Sequence, residues 1–465
     1  MNKITLIGGG ISGLTLAWWL RKAGRDVTVL EAGAEVGGTM KTVRDGEWLI
    51  EQGPNSTLAT TPLFETLVND LGIGSEVLQA QSTSKKRYIV KNDRLYCLPM
   101  SPFSFFGTEL WSAGAKFRLL KEPLIERAEK EESLAEFVTR RLGKEFLDYA
   151  INPFVAGVYA GDPATLSVRD AFPKLYALEK EYGSLIMGAI KKRRNGDGSV
   201  AKNKASMFSY REGMQTLPLA LYRALGEKVQ LNFEVKSISK NNNGQFTIGG
   251  IQNGLDRKIV TDAVVMTVPS FVASKLVRSL SPEASDALNE IKYAPVAEVF
   301  LGYKSEASSL QPDGFGFLVP EKENRSILGA IWSSSIFERR APSGHHAFTV
   351  FIGGARQPKL VDESDDTLVS LAMSDLKLLM NQQGSPVYQR VIKWPKAIPQ
   401  YRIGHGRIIE RLQETENKLP GLFFSGNYRG GIAVGDCVIQ SRKLADQILN
   451  TNHGDTESTE NTEKK

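Results

Sequence analysis

The stretch ITLIGGGISGLTLAWWL, residues 4–20, reads as strand, glycine-rich turn and helix in immediate succession. Residues 4–7 form a short apolar strand, and Gly8, Gly10 and Gly13 give the spacing G-x-G-x-x-G. Residues 12–23 follow with Leu14, Ala17, Trp18 and Leu20 available for one buried helical face. A second strand at 27–30 ends on Glu31. In such a βαβ unit the first glycine permits the tight turn, the second lets backbone approach a pyrophosphate, and the third lets helix pack on strand. The free N–H groups and dipole at the helix start favour that anion, so Gly9, Ile11 and Ser12 join the three glycines as candidate contacts. Glu31 lies 18 residues beyond Gly13, near the offset expected of a carboxylate that grips a ribose hydroxyl and disfavours a 2′-phosphate. Ala32 follows it. The motif specifies a dinucleotide and does not separate NAD from FAD.

The 465 residues exceed one hydrophobic core, so two or more domains are expected. No run approaches the length of a membrane span, and residues 1–3 lead into a strand without the pattern of a signal peptide. Cys97 and Cys437 are too few for a disulfide framework, which fits a reducing, cytoplasmic compartment. His345, His346, His405 and His453 have no metal-ligand spacing, so no metal is expected. The net charge of +6 is concentrated: KKRRNGDGSVAKNK, residues 191–204, holds six basic residues against one acid. Without interleaved aromatics or a base-reading fold the run argues against nucleic acid. It reads as a solvated loop or as a contact for anionic lipid headgroups.

The middle of the chain changes character twice. SPFSFFGTELW (101–111) is aromatic and punctuated by Pro and Gly, and KFRLLKEPLIERAEK, ESLAEFVTRRLGKEFLDYAI and KLYALEKEYGSLIMGAIKKRR read as helices up to about residue 195. Strands return at 229–240, 245–251 and 262–269, and again in VAEVFLGY, GFGFLVP, ILGAIWSS and HAFTVFIGG between 296 and 354. A helix follows at 368–380, and the polar residues 451–465 read as disordered. The alternation predicts interleaved domains: a nucleotide-binding sheet, a mostly β insert and a helical insert.

LPGLFFSGNYRGGIAVGDCVIQSRKLADQIL, residues 419–449, settles the cofactor question. Residues 422–424 read as a strand, 425–431 as a glycine-rich turn, and 432 onward as a helix. A strand and helix returning this late fit a two-part flavin site, in which the second helix N-terminus faces the isoalloxazine ring and stabilises negative charge on it when reduced. The expected cofactor is FAD, held without a covalent link; Cys437 reads as a buried free thiol.

With these segments in place the chain resembles the protoporphyrinogen oxidase family, the oxygen-dependent FAD enzymes of haem and chlorophyll synthesis, from Ile4 to about Leu449. The motifs are LIGGGISGL, VLEAGAEVGGTMKT, IEQGPNS, KKRYIV, INPFVAGVYAGDP, LEKEYGSLIMGAI, YREGMQTLP, GFGFLVP, AIPQYRIGH and SGNYRGGIAVGDC. The resemblance implies a monoamine-oxidase-like α/β multidomain fold. Its Rossmann-type FAD-binding domain would comprise 1–80, 205–270 and 415–450. A mostly β substrate domain would comprise 81–100 and 271–414, a helical, membrane-associating insert 101–204, and the tail 451–465. It places Gly8 to Gly13 on the pyrophosphate, Glu31 on the ribose, Gly38, Gly53 and Pro54 near the rest of the cofactor, and Val235 at the adenine. Asn427, Ile432, Ala433 and Val434 would meet the isoalloxazine. It assigns the substrate to Arg87, pairing with a propionate through its planar fork, and to Leu318, Ile331 and Phe351 on the faces of the tetrapyrrole. Two positions depart from the family pattern: Glu35 stands where a basic residue is often found, and Asn55 where some members carry an arginine.

The implied activity is six-electron oxidation of protoporphyrinogen IX to protoporphyrin IX, with hydride transfer to flavin, reoxidation by oxygen and three hydrogen peroxide released. The implied partners are tetrapyrrole and oxygen, an anionic surface on the inner face of the membrane, a ferrochelatase that receives the product, and a second copy of the chain. No Ser/His/Asp or Cys/His set is evident, and no protein acid or base is assigned. The alternatives are coproporphyrinogen III oxidation, which differs only at the substrate periphery; an amine oxidase, for which an aromatic cage would be needed and Tyr428 is one candidate; a carotenoid-type desaturase; and a non-enzymatic flavin-binding module.

Overall fold

The computed structural model describes residues 1–194 and 206–450. Most of the basic run at 191–204 and all of 451–465 therefore lie outside the described residues. The nucleotide side is built on a five-stranded parallel sheet in the order Val229–Gln230, Asp26–Leu30, Lys3–Ile7, Ala263–Met266, Leu422–Phe424. Its two late strands, Ala263–Met266 and the edge strand Leu422–Phe424, are buried along their whole length, as parallel strands covered by helices on both faces must be. Side chains alternate between those faces. Ile4, Leu6 and Val265 share a core with Leu14, Leu16 and Leu20 of the first helix, Ile11–Lys22, and with Val438, Ala445 and Ile448 of the last, Val434–Asn450. Ile7, Val264 and Met266 point the other way, onto Ala273, Val277, Leu288 and Leu412 of the helices Ser270–Val277, Pro282–Glu290 and His405–Lys418. All three pack on the nucleotide sheet, although Pro282–Glu290 lies wholly, and Ser270–Val277 and His405–Lys418 mostly, on the substrate side of the expected boundaries at 270 and 415.

The strand expected at 229–240 is two strands. Asn232 adopts a left-handed conformation (φ 54°) between them. Val229–Gln230 completes the parallel sheet, and Phe233–Lys240 turns away into an antiparallel ribbon with Phe246–Gln252 and Leu255–Thr261.

The second large sheet has seven strands, ordered Tyr388–Pro399, Tyr293–Lys304, His345–Gly353, Ile327–Ile331, Gly316–Leu318, Tyr88–Lys91, Arg94–Cys97. One face packs on the helix Asp365–Met380 through Ala297, Val299, Leu301 and Val350. By the period of two, Val296, Glu298 and Phe300 point to the opposite face. There Phe300 meets Trp48 and Ile50 of the hairpin formed by Thr42–Asp45 and Trp48–Glu51.

Residues 102–194 are mainly helical but more broken than the periodicity predicts. Beyond Arg118 the chain tightens into a 3₁₀ turn over Leu119–Leu124 that contains Pro123, and residues 125–131 are not helical. The cause is Glu122, fully buried, whose carboxylate accepts hydrogen bonds from the backbone N–H groups of Leu185 (2.9 Å) and Ile186 (3.2 Å) and pairs with buried Arg141 at 3.2 Å. The segment read as one helix through LEKEYGSLIMG breaks at Gly183 (φ 74°), so Pro173–Tyr182 and Leu185–Arg194 are separate.

Candidate active site

The glycine loop between Lys3–Ile7 and Ile11–Lys22 is fixed from below. The hydroxyl of buried Thr267 donates to the carbonyls of Ile7 and Gly8, both at 2.9 Å. At Gly13 a Cβ would lie 2.2 Å from the Gly8 carbonyl oxygen and 2.6 Å from the Thr267 hydroxyl, so only glycine lets the helix seat this closely. At Gly10, the N-terminal cap of that helix, a Cβ would meet nothing within 4 Å. The helix start has no side-chain cap and no acidic residue in its first turn, leaving its N–H groups and dipole directed into open space. Glu31 closes the far side of the loop. One carboxylate oxygen accepts from Gly9 N–H (2.6 Å) and the other from Gly33 N–H (2.8 Å), each keeping a lone pair for a further donor.

This open space is one end of a cavity of about 660 Å³. Twelve of the residues singled out in the sequence line it: Gly10, Ile11, Ser12, Gly38, Gly53, Pro54, Ile331, Phe351, Asn427, Ile432, Ala433 and Val434. Gly8, Gly9 and Gly13 stand beneath the lining as its support. Glu31, exposed Ala32 and half-buried Val235 cluster beyond its edge, where Phe233 N–H donates to the Glu31 carbonyl (2.8 Å). Leu318 sits behind the wall, its side chain against Gly157, which does line the cavity. Arg87 is also outside the lining. It is exposed on the approach to Tyr88–Lys91, with its guanidinium 5.1 Å from the Phe315 ring centre, and partial burial of that head lowers its pKa. Tyr428 is fully buried in the helix–sheet core and is not a cavity residue, so it provides no aromatic cage.

The late loop is held by a residue the sequence reading passed over. Tyr401 lies two residues beyond the strand Tyr388–Pro399. Its hydroxyl donates to the Asn427 carbonyl (2.8 Å) and accepts from Gly431 N–H (2.9 Å), clamping the turn that presents Ile432 to Val434. Its ring stacks on buried His405 at 4.1 Å. Ser441, two turns into the last helix, donates to the Ser12 carbonyl (2.9 Å), tying that helix to the N-terminus of the first beneath the cavity. Cys437 lines it as a buried free thiol, pushed up to about 11 by burial.

The opposite wall contains a second unforeseen group. Glu298, in the middle of Tyr293–Lys304, lines the cavity while only 5% exposed, and its Oε2 is buried without a hydrogen-bond partner. Burial, reinforced by the like charge of Glu51, holds its carboxyl well above the usual carboxylate range. Glu51 has its own partners: Thr42 Oγ1 (2.6 Å), Met214 N–H (2.9 Å) and the buried Arg340 guanidinium at 3.8 Å. Burial outweighs them and raises it to about 7. The sequence signal for Glu298 was an acid in VAEVFLGY, a segment otherwise patterned for burial.

The chain belongs to the flavin-containing amine oxidoreductase family, whose pattern matches residues 11–449. It is a flavin-dependent oxidoreductase with FAD as cofactor. Within that class its similarity is to protoporphyrinogen oxidases. It is 34% identical to protoporphyrinogen oxidase 2, chloroplastic/mitochondrial, of Arabidopsis thaliana, over 96% of this chain and 94% of that protein. It is 29% identical to coproporphyrinogen III oxidase of Bacillus subtilis (strain 168), over 96% of this chain and 98% of that one. A crystal structure from Exiguobacterium sp. 255-15, provisionally named a protoporphyrinogen oxidase, shares the fold with a TM-score of 0.80 at 24% identity, over 96% of this chain and 98% of that chain.

Proposed function

We propose that this chain oxidises protoporphyrinogen IX to protoporphyrin IX, six electrons in all, with dioxygen as terminal acceptor and hydrogen peroxide as co-product. The observation that carries the reading is one continuous cavity with a backbone cradle for a dinucleotide at one end and strand side chains at the other, in a chain aligned over 96% of its length with porphyrinogen oxidases. Bound FAD supplies the two-electron oxidation. The chain supplies the rest. Gly8 to Gly13 and the first helix N-terminus receive the pyrophosphate, Glu31 takes the ribose, and the backbone at Val235 the adenine. Gly38, Gly53 and Pro54 flank the cofactor. The segment from Asn427 to Val434, clamped by Tyr401, faces the isoalloxazine. Ile331 and Phe351 pack the faces of the macrocycle and exclude water, Leu318 backs them, and Arg87 at the edge attracts a peripheral carboxylate.

The helical segment carries the proposed membrane contact. Phe103, Leu124, Met100, Leu120, Phe106 and Phe117 are all between 68% and 92% exposed, and Lys116, Arg118 and Lys121 stand among them in sequence. A soluble surface seldom leaves so many large apolar side chains in water without a use, and a shallow amphipathic docking onto anionic lipid fits this composition. No helix among the described residues is long and apolar enough to cross a membrane. Peripheral attachment on the inner face, a homodimer and transfer of product to a ferrochelatase complete the proposal.

The test offers the purified yellow protein protoporphyrinogen IX and coproporphyrinogen III in parallel, in air, and follows porphyrin fluorescence together with peroxide. Faster protoporphyrin formation with three peroxides per porphyrin supports the reading. A preference for coproporphyrinogen keeps the chemistry and changes the substrate. Fluorescence from neither rejects porphyrinogen oxidation.

A further inference from the structure

We propose that Glu298 is the proton acceptor of the reaction, its carboxylate taking the pyrrole proton that leaves as a carbon is oxidised. The role rests on the porphyrinogen reading above. The geometry is that of a polar group without a polar reason to be there. Glu298 stands on the cavity face of a central, buried strand, between Val296 and Phe300, and its Oε2 finds no donor in the protein. A merely structural carboxyl at such a site would be paired, as Glu51, Glu122 and Glu416 are.

The groups facing Glu298 give it no counter-charge of its own. From the hairpin comes Glu51, with Arg340 behind it; from His345–Gly353 comes Phe351, its cross-strand partner; and from Tyr388–Pro399 come Ile392, its partner on that side, and the cavity-lining Trp394, whose indole N–H is spent on the Gln52 carbonyl at 2.7 Å, while Arg390, opposite Phe300, is hydrogen-bonded to Tyr388. The other carboxyl lining the cavity among the described residues, Asp436, is turned toward Gly431 at the late loop. What Glu298 lacks is therefore an N–H donor from the occupant of the cavity, and a porphyrinogen carries such donors at its centre. Each two-electron step breaks one C–H bond, whose hydride bound FAD would take, and one N–H bond, whose proton joins the Glu298 carboxylate as a new double bond forms in the macrocycle; across the three steps one further meso-carbon proton moves to a pyrrole nitrogen, so the product has lost four C–H and two N–H hydrogens in all. Dioxygen then takes the two electrons with two protons, one of them that released by Glu298, leaving hydrogen peroxide and the carboxylate restored. An ionised carboxylate in a dry wall is a stronger base than one in water, at the cost of being ionised less of the time.

The test is anaerobic single-turnover reduction of the flavin by protoporphyrinogen IX, followed by bleaching across pH, with wild type and Glu298→Gln. The expected wild-type rate rises with pH through one ionisation. The E298Q rate is slower by about a hundredfold or more and flat with pH, while FAD content, melting temperature and protoporphyrin IX binding, read by fluorescence quenching, stay near wild type. Glu298→Ala is the second variant, and added formate or acetate restores its rate and its pH dependence. An E298Q protein reduced at the wild-type rate with the wild-type profile overturns the role of Glu298 and leaves the substrate reading standing. A wild-type flavin reduced by neither porphyrinogen overturns both.

Discussion

Gly10 and Gly13 are three positions apart, yet a methyl group has opposite consequences at the two. At Gly13 it strikes backbone, so Gly13→Ala is expected to lower thermal stability, by about 2 kcal/mol or more. At Gly10 it enters empty space with an ordinary φ of −77°, so Gly10→Ala is expected to fold with an unchanged melting temperature and to lose FAD affinity, read by flavin retention on dilution. Equal effects at both positions would mean that the loop does not approach the cofactor. Arg87 is exposed, and its replacement by alanine is expected to raise the KM for porphyrinogen about three- to tenfold without changing FAD content, the scale of a partly screened charge pair. An unchanged KM removes it from the site. At this scale the sequence was informative where residue type is dictated by backbone geometry, as at Gly8, Gly10 and Gly13. At Glu298 it offered only an acid within an apolar strand, which on a strand edge would be an unremarkable solvated charge; the register of Tyr293–Lys304 is what makes it a cavity group.

Between residue and domain, the clamp and the hairpin are the elements to probe. The Tyr401 hydroxyl joins Asn427 to Gly431, and Tyr401→Phe is expected to cost about 1–3 kcal/mol and to loosen the flavin end, seen as a lower melting temperature and altered flavin fluorescence. The hairpin strand Trp48–Glu51 buries a carboxyl raised to about 7, above the value near 4.3 of an unfolded chain. The fold therefore holds that proton more tightly than the unfolded chain does. The stability it contributes is full in mild acid and is lost as pH rises from about 4.3 through about 7, on the order of 3 kcal/mol. Melting temperature at saturating FAD should fall across that window, and Glu51→Gln should flatten the slope. Elements with a strong local signature, such as Ile11–Lys22 and Asp365–Met380, were legible in advance. The helical segment was less so: Gly183 and Pro123 mark its breaks locally, but the buried Glu122 that fixes the turn beyond Arg118, by pairing with Arg141 and accepting from Leu185 N–H, is a long-range contact that no local pattern announces.

Across the whole molecule, the parallel sheet, the strand-rich sheet and the helical segment all follow from the order of periodicities along the chain. The packing of Ser270–Val277, Pro282–Glu290 and His405–Lys418 on the nucleotide sheet does not, since a helix's partner is set by long-range contacts. The exposed apolar surface makes a prediction at this scale: Phe103→Asp combined with Leu124→Asp should reduce cosedimentation with anionic vesicles while solution turnover is retained. Vesicle binding equal to wild type would take these residues out of the contact. The parallel sheet also has a temporal meaning. Its strands come from residues 3–7, 26–30, 229–230, 263–266 and 422–424, so the first strand waits for 263–266, more than 250 residues on, and that strand in turn waits for 422–424 near the end of the described chain. Pairings of such sequence separation are slow to form, and Ile432 to Val434 arrive only after the final strand. During synthesis the emerging chain therefore exposes an unfinished sheet edge that FAD cannot yet cover, and capture of the flavin is the closing event of folding rather than its nucleus.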